Sequence, residues 1–417
     1  MVDVGPCRVC GRRLRGVGAC GIGACQVCCY RAGRVAVTGR WPSPDPDLPH
    51  LADVVPAVLR AMGVPGGSGR LTLPGPVTGA CVLLIDGLGA ELLDAHAADA
   101  PVLAGLRSGT LGVGFPSTTA AGLAAVGTGR RSGEHGMVGY TFRLPDAGVV
   151  NALTWRPHPN GDDLRDRVRP ERVQPLSTTF EHATNAGVAV SVVSAARFAD
   201  SGLTRAVLRG GRYVGVHAVG DLAARVRSVI RDGGFCYGYH ADLDMLGHVY
   251  GPGSEPWRLQ LAQVDRLVES VVDGLPDGGL LAVVADHGMV TATDVVDLDA
   301  SPALLAGVVA LGGEARARHV YVEQGAAADV LAAWRTTLGE RAWVLTRDEA
   351  VAAGWFGPTV TDDVRPRIGD VVAAARDEVA LARRTTEPME SSFLGHHGSL
   401  TTAEQHVPLL LAHLGLG

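Results

Sequence analysis

The chain contains no lysine; all 37 of its basic side chains, histidine aside, are arginine. Lysine is therefore excluded as a general base, a Schiff-base partner or a point-charge clamp on phosphate. Aromatic residues are scarce at 5%, so Val, Leu and Ala must carry the core. No apolar run approaches the roughly 20 residues needed to cross a bilayer. The first ten residues lack the charged-then-apolar pattern of a secretory signal. A cytoplasmic location without a membrane partner is the expectation. There is no internal repeat and no low-complexity tail.

What is present is unevenly placed. The chain has 417 residues and a net charge of −6. Residues 1–40 hold Arg8, Arg12, Arg13, Arg15, Arg31, Arg34 and Arg40 against the single acid Asp3, a net of +6, which leaves −12 on the remainder. A small basic head on an acidic body suggests two modules.

Six of the eight cysteines lie between Cys7 and Cys29. Cys7-x-x-Cys10 and Cys25-x-x-Cys28 form two knuckles 14 residues apart, close to a zinc-ribbon spacing. Cys20 and Cys29 could substitute as ligands, and a disulfide cluster is the rival reading. A module this short cannot build a core alone, so one structural zinc would govern its folding. Its arginines could dock nucleic acid or an acidic protein, although only Tyr30 and Trp41 lie near enough to stack on bases.

The expected organisation is a Cys-rich module over 1–40, a Pro/Gly-rich linker and helix over 41–77, and a catalytic domain over 78–417. The linker opens on the stiff run Trp41-Pro-Ser-Pro-Asp-Pro-Asp-Leu-Pro49. Its helix is expected over 51–62. In the body, continuous apolar runs near 80–85, 188–193, 234–239 and 280–285 read as buried parallel strands. Helical patterns at 216–231 and 257–275 alternate with them, which predicts an α/β fold with a doubly wound, mostly parallel sheet. Residues 291–385 break that rhythm and read as a small α+β cap insertion.

Sheets of this kind place ligands at the carboxyl ends of their strands. Asp86 ends the first strand. Asp244 and His248, four apart, would share one helix face. Asp286-His287 ends another strand, and His397 lies in Gly395-His-His-Gly-Ser399. Each piece has an ordinary alternative as a helix cap, a turn or a surface histidine. Together, mixed carboxylate and imidazole ligands suit divalent ions such as zinc, with manganese as the alternative. In Gly114-Phe-Pro-Ser-Thr-Thr119-Ala-Ala-Gly, hydroxyl residues lead into an Ala-rich helix, where a phosphate could sit or where Ser117 or Thr118 could simply cap.

These motifs resemble the type I phosphodiesterase/nucleotide pyrophosphatase family of the alkaline phosphatase superfamily. The carriers are Leu-Ile-Asp86-Gly, Asp244-x-x-x-His248 running into Tyr-Gly-Pro-Gly-Ser, Ala-Asp286-His287-Gly-Met and Gly-x-His397-Gly, in the family's order, over about 78–415. The resemblance implies an alkaline phosphatase-like fold with two metals. Asp244, His248 and His397 would hold one; Asp86, Asp286 and His287 would hold the other, with Thr119 bound to it as the nucleophile. Thr119 is chosen over Thr118 and Ser117 because the family's nucleophile precedes a Thr-Gly pair by nine residues, here Thr128-Gly129. A phospho-threonine intermediate and a phosphate-ester substrate, such as a nucleotide, follow from the resemblance.

The family's phosphodiesterases carry an Asn where Tyr140 falls, which leaves Tyr140 as the expected phosphate contact and the diester preference open. A phosphomonoesterase or phosphonate hydrolase is the alternative enzyme. A scaffold whose zinc module recruits nucleic acid or protein is the non-enzymatic one. Trp155, Arg156, His158, Trp355 and Phe356 could line the substrate pocket, or pack. Oligomeric state is not encoded legibly.

Overall fold

The computed structural model describes residues 41–66 and 69–416. The proposed zinc ligands Cys7, Cys10, Cys25 and Cys28 lie outside the described residues.

The body opens with helix α1 (Val54–Ala61), shorter than its apolar pattern because 51–53 form a separate 3₁₀ turn. Strand β1 (Gly79–Ile85) follows, and every residue in it is buried. Its uninterrupted apolar run reflects cover on both faces, and each fully buried Val, Leu or Ile contributes about 1.5–3 kcal/mol. The main sheet continues with β2 (Arg107–Gly112), β3 (Val190–Ala195), β4 (Arg212–Val216), β5 (Phe235–His240) and β6 (Gly279–Val284). Helix α2 (Thr119–Thr128) follows β2, and α3 (Val219–Arg231) connects β4 to β5. Helices α4 (Asp242–Tyr250) and α5 (Glu255–Val272) connect β5 to β6.

A second sheet comprises β7 (Val308–Glu314), β8 (Ala317–Val322), β9 (Ala342–Thr346) and β10 (Val371–Ala375), all antiparallel in the order β7-β8-β10-β9. Helix α6 (Ala327–Leu338) packs on it, and Trp334, Val330 and Val371 belong to a core separate from that of the main sheet. This second sheet falls within residues 291–385, the stretch whose change in pattern suggested a cap insertion. The chain then returns through β11 (His406–His413).

The main sheet runs β2-β11-β6-β1-β5-β3-β4. From β6 to β4 every pairing is parallel. Strand β11 alone is reversed, antiparallel to both β6 and β2. The sheet is therefore α/β and mixed, with the parallel strands in the majority. Three of its strands escape the sequence pattern. Edge strands β2 and β4 are short, polar and only partly buried; β4 also occupies residue 216, where a helix was expected to begin. Helix α3 starts three residues later. Among the described residues, no helix is long and apolar enough to cross a membrane.

Helix α2 is the element most constrained by packing. All ten of its residues are buried. A Cβ at Gly122 would lie 2.4 Å from Asp286 Cβ, and one at Gly127 would lie 1.8 Å from the Val207 carbonyl oxygen. Small residues are required because the backbone itself meets its neighbours. Gly122→Ala should therefore displace Asp286 or the helix, at about 1–3 kcal/mol of overpacking. Turnover should fall at least tenfold, measured as kcat, even if the variant remains folded by circular dichroism.

Candidate active site

The sequence placed six Asp and His residues at strand and loop ends far apart in the chain. The fold brings them together at the carboxyl edge of the sheet, beside Thr119. Asp86 directly follows β1. Asp286 and His287 lie just beyond β6. Asp244 and His248 occupy one face of α4, and His397 sits on the loop before β11.

The distances are short. His287 Nε2 is 3.3 Å from Asp86 Oδ1 and 3.8 Å from Asp286 Oδ2. His248 Nε2 is 3.3 Å from Asp244 Oδ2 and 3.3 Å from His397 Nε2. His397 Nε2 is 3.9 Å from Asp244 Oδ1. Two groups have spacing suited to a cation: Asp244 with His248 and His397, and Asp86 with Asp244 and His287. Asp244 has an oxygen within reach of both groups.

The tautomers carry the argument further. Each imidazole directs Nδ1 at a backbone carbonyl: His248 at Gly395 O (2.8 Å), His287 at Gly288 O (3.0 Å) and His397 at Ser117 O (2.9 Å). A carbonyl only accepts, so Nδ1 carries the proton in the neutral ring and Nε2 keeps a bare lone pair. The 3.3 Å approach of His248 Nε2 to His397 Nε2 then sets two acceptors against each other. A cation resolves that conflict, and backbone-anchored imidazoles are the usual second support of metal ligands.

The carboxylates show the same division. Asp286 Oδ1 accepts from the Gly87 and His287 amides at 3.2 and 3.1 Å, while its Oδ2 is buried without a hydrogen-bond partner. Asp86 Oδ2 accepts from the Tyr239 hydroxyl, while its Oδ1 is likewise buried and unpartnered. Asp244 Oδ1 is a third such atom. Buried unpaired acceptors are costly, and oxygens of this kind fit divalent cations. Burial, then the charge of Asp86, pushes the Asp286 carboxyl well above its ordinary range. Burial pulls the His287 imidazolium down, but Asp286 and Asp86 outweigh it and carry His287 up to about 10. His397 is held well below the usual value, first by burial and then by His287. The donor set of unpartnered carboxylate oxygens beside imidazole nitrogens fits divalent cations.

The three hydroxyls before α2 have different surroundings. Ser117 Oγ donates to Ser399 O at 2.9 Å and accepts from the Gly398 amide at 3.2 Å. Thr118 is the N-cap residue, with extended backbone, and its side chain neighbours Glu314. Thr119 Oγ1 lies 3.2 Å from His287 Nε2. The first turn of α2 offers amide N–H groups without intrahelical partners and the positive end of the helix dipole, both suited to phosphate.

Ser117 also ties the loop before α2 to the His397 loop, since its carbonyl fixes His397. That second loop is fastened in turn to the cap. Glu404 accepts from the Ser399 amide at 2.9 Å and from Arg316 Nε and Nη2 at 3.0 and 2.6 Å, with both charged side chains fully buried.

Two clefts open onto Thr119. One is bordered by Arg197, Phe198, Tyr213 and Tyr239. The Arg197 guanidinium lies 4.6 Å from the centre of the Phe198 ring. The other is bordered by Tyr140, Glu314, Glu387, Glu390, Met389 and Phe393, with no arginine among the described residues.

Tyr140, the expected phosphate contact, borders the cleft beside Thr119, and its hydroxyl donates to Glu390 Oε1 at 3.3 Å. Of the other expected lining residues, His158 lies behind Tyr140, bonded to Glu387 Oε1 at 2.9 Å. Arg156 points outward to Gly161 O. Trp155 is a core residue whose Nε1 donates to Val168 O. Trp355 and Phe356 pack on Phe115 and border a different cavity. The neighbouring residue His396 points Nε2 at Phe393 O, away from the cluster.

Sequence reading missed two contributors. Tyr239, read only as strand, orients Asp86. Glu314, at the end of β7 in the cap, looks like one more polar turn residue in Gly312-Gly-Glu-Ala-Arg316. In three dimensions its Oε1 is buried and unpartnered beside Thr118, and burial pushes its carboxyl up to about 7.

Known proteins share this fold. The mouse ectonucleotide pyrophosphatase/phosphodiesterase 5 superposes with a TM-score of 0.61 at 17% identity, covering 80% of this chain and 88% of that one. Phosphonoacetate hydrolase from Sinorhizobium meliloti 1021, solved with phosphonoformate, gives 0.60 at 20% identity, covering 81% and 90%. The phosphopentomutase of Anaeromyxobacter sp. (strain K) is 29% identical over 160 residues, which is 36% of this chain. The chain spans only 39% of that relative's length. The family model of type I phosphodiesterase/nucleotide pyrophosphatase matches residues 80–400. With that match spanning most of the chain and the fold in agreement, the protein belongs to this family of phosphoric ester hydrolases in the alkaline phosphatase superfamily.

Proposed function

We propose that the chain hydrolyses a phosphate ester through Thr119, with two divalent cations held by its Asp and His residues. Asp244, His248 and His397 would hold one, and Asp86, Asp286 and His287 the other. The single observation that carries this reading is the convergence of three bare Nε2 atoms and three unpartnered carboxylate oxygens beside the Thr119 hydroxyl. Zinc best fits mixed nitrogen and oxygen donors, with manganese as the alternative. Cations bound there would make the threonine alkoxide accessible at neutral pH and offset charge on the phosphoryl oxygens.

The residues of the chain then have separable tasks. The first turn of α2 orients the phosphoryl group by its free amides. Thr119 Oγ1 forms a bond to phosphorus, and the bond to the leaving oxygen breaks, giving a phospho-threonine. Water attacks the same phosphorus from the vacated side, releases Thr119 and yields the phosphate product. Tyr239, by gripping Asp86, and Ser117, by fixing His397, hold ligands in place rather than react.

The acidic cleft supports a sharper reading of the substrate. Among the described residues, a substrate arm entering it meets Glu314, Glu387 and Glu390 and no arginine. Glu387 is already matched by Arg318, which leaves Glu314 and Glu390 to set the local sign. A neutral or cationic arm is favoured there over a polyphosphate. With metal added, kcat/KM for p-nitrophenyl phosphocholine should exceed that for p-nitrophenyl thymidine 5′-triphosphate at least tenfold, a difference of about 1.4 kcal/mol. Equal rates, or the reverse order, would rule this selectivity out.

A phosphomonoesterase or phosphonate hydrolase is the second reading. It is favoured by the commitment of the Tyr140 hydroxyl to Glu390 rather than to a substrate oxygen. Comparing bis(p-nitrophenyl) phosphate with p-nitrophenyl phosphate separates the two, since the second reading requires the monoester to be faster.

A further inference from the structure

A second cavity lies away from the metal cluster, on the other side of the nucleophile loop. It is bordered by Ser43 to Asp45 of the linker, by His50, by Gly112 to Phe115, by Arg131 and His135, and by Trp355 and Phe356 of the cap segment. Ala121 and Ala125 of α2, Arg70 and Ala353 also border it. None of the proposed metal ligands borders it, and the hydrolysis reaction makes no use of its polar groups.

Those polar groups are donors. His135 is 2% exposed, and its Nδ1 accepts from the Met137 amide at 3.1 Å. The proton of the neutral ring must then sit on Nε2, which is buried and without a hydrogen-bond partner. His50 repeats the pattern: its Nδ1 accepts from the Ala52 amide at 3.0 Å, which places the N–H on Nε2. Arg131 Nη1 is buried and unpartnered as well. Among the described residues, its guanidinium has one long ion pair, Nη2 to Asp53 Oδ2 at 3.8 Å. Two imidazole N–H groups and a guanidinium thus border one cavity, whose single acidic residue, Asp45, bonds the Asp47 amide.

A buried donor left unpaired costs about 1–3 kcal/mol, more when charged. Native folds rarely keep several in one place without an acceptor. The remaining walls are apolar and aromatic: Phe115 packs on Trp355 at 4.8 Å and on Phe356 at 5.4 Å between ring centres. The acceptor that suits this lining is an oxyanion attached to an apolar body.

We propose that this cavity is a binding site for a small organic anion, a carboxylate or phosphate on an aromatic or aliphatic body, recognised by Arg131, His135 and His50. The site is independent of the phosphoesterase reading and survives its failure. It touches the segment leading to Thr119 through Gly114 and Phe115, so an occupant would rest against the back of the nucleophile loop.

Benzoate is the probe. Titrated into the full chain by calorimetry, it should bind at one saturable site with Kd of about 1 mM or tighter, roughly −4 kcal/mol. Benzamide, its neutral counterpart, should bind at least tenfold more weakly. Arg131→Gln should weaken benzoate at least tenfold. Ala353→Met, which fills the cavity from its rim, should do the same without touching a donor and serves if Arg131→Gln does not fold. Thr119→Ala should bind benzoate as the parent does, which separates this site from the active site. Absence of saturable binding, equal affinity for benzamide, insensitivity of folded variants, or loss of binding in Thr119→Ala would each overturn the proposal.

Discussion

Thr119→Ala should lose turnover by roughly 10⁴-fold or more, the scale on which removal of a covalent nucleophile acts. The loss should fall on kcat, because the substrate still meets the α2 amides and the cluster. Thr119→Ser should keep a measurable fraction, since it retains the hydroxyl and loses only the methyl group that helps fix its rotamer. Ser117→Ala and Thr118→Ala offer the contrast. Ser117 Oγ is engaged by Ser399 and Gly398, and Thr118 lies beside Glu314. Their removal should perturb loop positions and cost far less than Thr119. A Thr118→Ala variant as inactive as Thr119→Ala would move the nucleophile by one residue.

Metal removal should have the second large effect, on both activity and stability. Chelation should abolish turnover, and zinc or manganese should restore it. Ligand at a thousandfold excess over Kd stabilises the fold by about 4 kcal/mol per site, so the melting temperature should fall on chelation. The pH dependence of the stripped chain follows from Asp286. Its folded carboxyl is pushed above the ordinary value, by burial first and then by Asp86. The folded state therefore binds this proton more tightly than the unfolded state does. That contribution is present at low pH and is lost as pH rises from the unfolded value through the folded one. The loaded chain should behave oppositely over the same window, because cations compete with protons for these ligands. Asp286→Asn removes the proton linkage and should flatten the slope in the stripped chain, measured by urea unfolding at several pH values.

Much of the site was readable because its residues sit at element ends. Asp86 could be placed because β1 is a buried apolar run that stops at it. Asp244 and His248 could be paired because four residues is one helical turn. What could not be read depends on contacts between distant segments. Glu314 reaches Thr118 only because the cap folds back, across 195 intervening positions of chain that carry no periodic signal linking them. Tyr239 looked like one more strand residue, and only the β1–β5 pairing sets its hydroxyl on Asp86. Trp355 and Phe356 are large and apolar, which suits a substrate wall and a buried packing site equally; topology put them against Phe115. The edge strands β2 and β4 went unread because partial exposure leaves no continuous apolar run. Strand β11 could be apolar yet reversed because periodicity carries no direction. The small residues of α2 had a visible pattern, but the reason, an Asp286 Cβ at 2.4 Å from where a side chain would begin, is purely three-dimensional.

The most direct test of the central claim is turnover by the full chain with and without metal. Bis(p-nitrophenyl) phosphate and p-nitrophenyl phosphate would be offered to chelated protein, to protein resupplied with zinc or manganese, and to Thr119→Ala resupplied in the same way. The account predicts hydrolysis of at least one substrate in the resupplied parent, and none in the chelated chain or in the variant. No hydrolysis of either substrate by the metal-replete parent, or equal hydrolysis by Thr119→Ala, would contradict it.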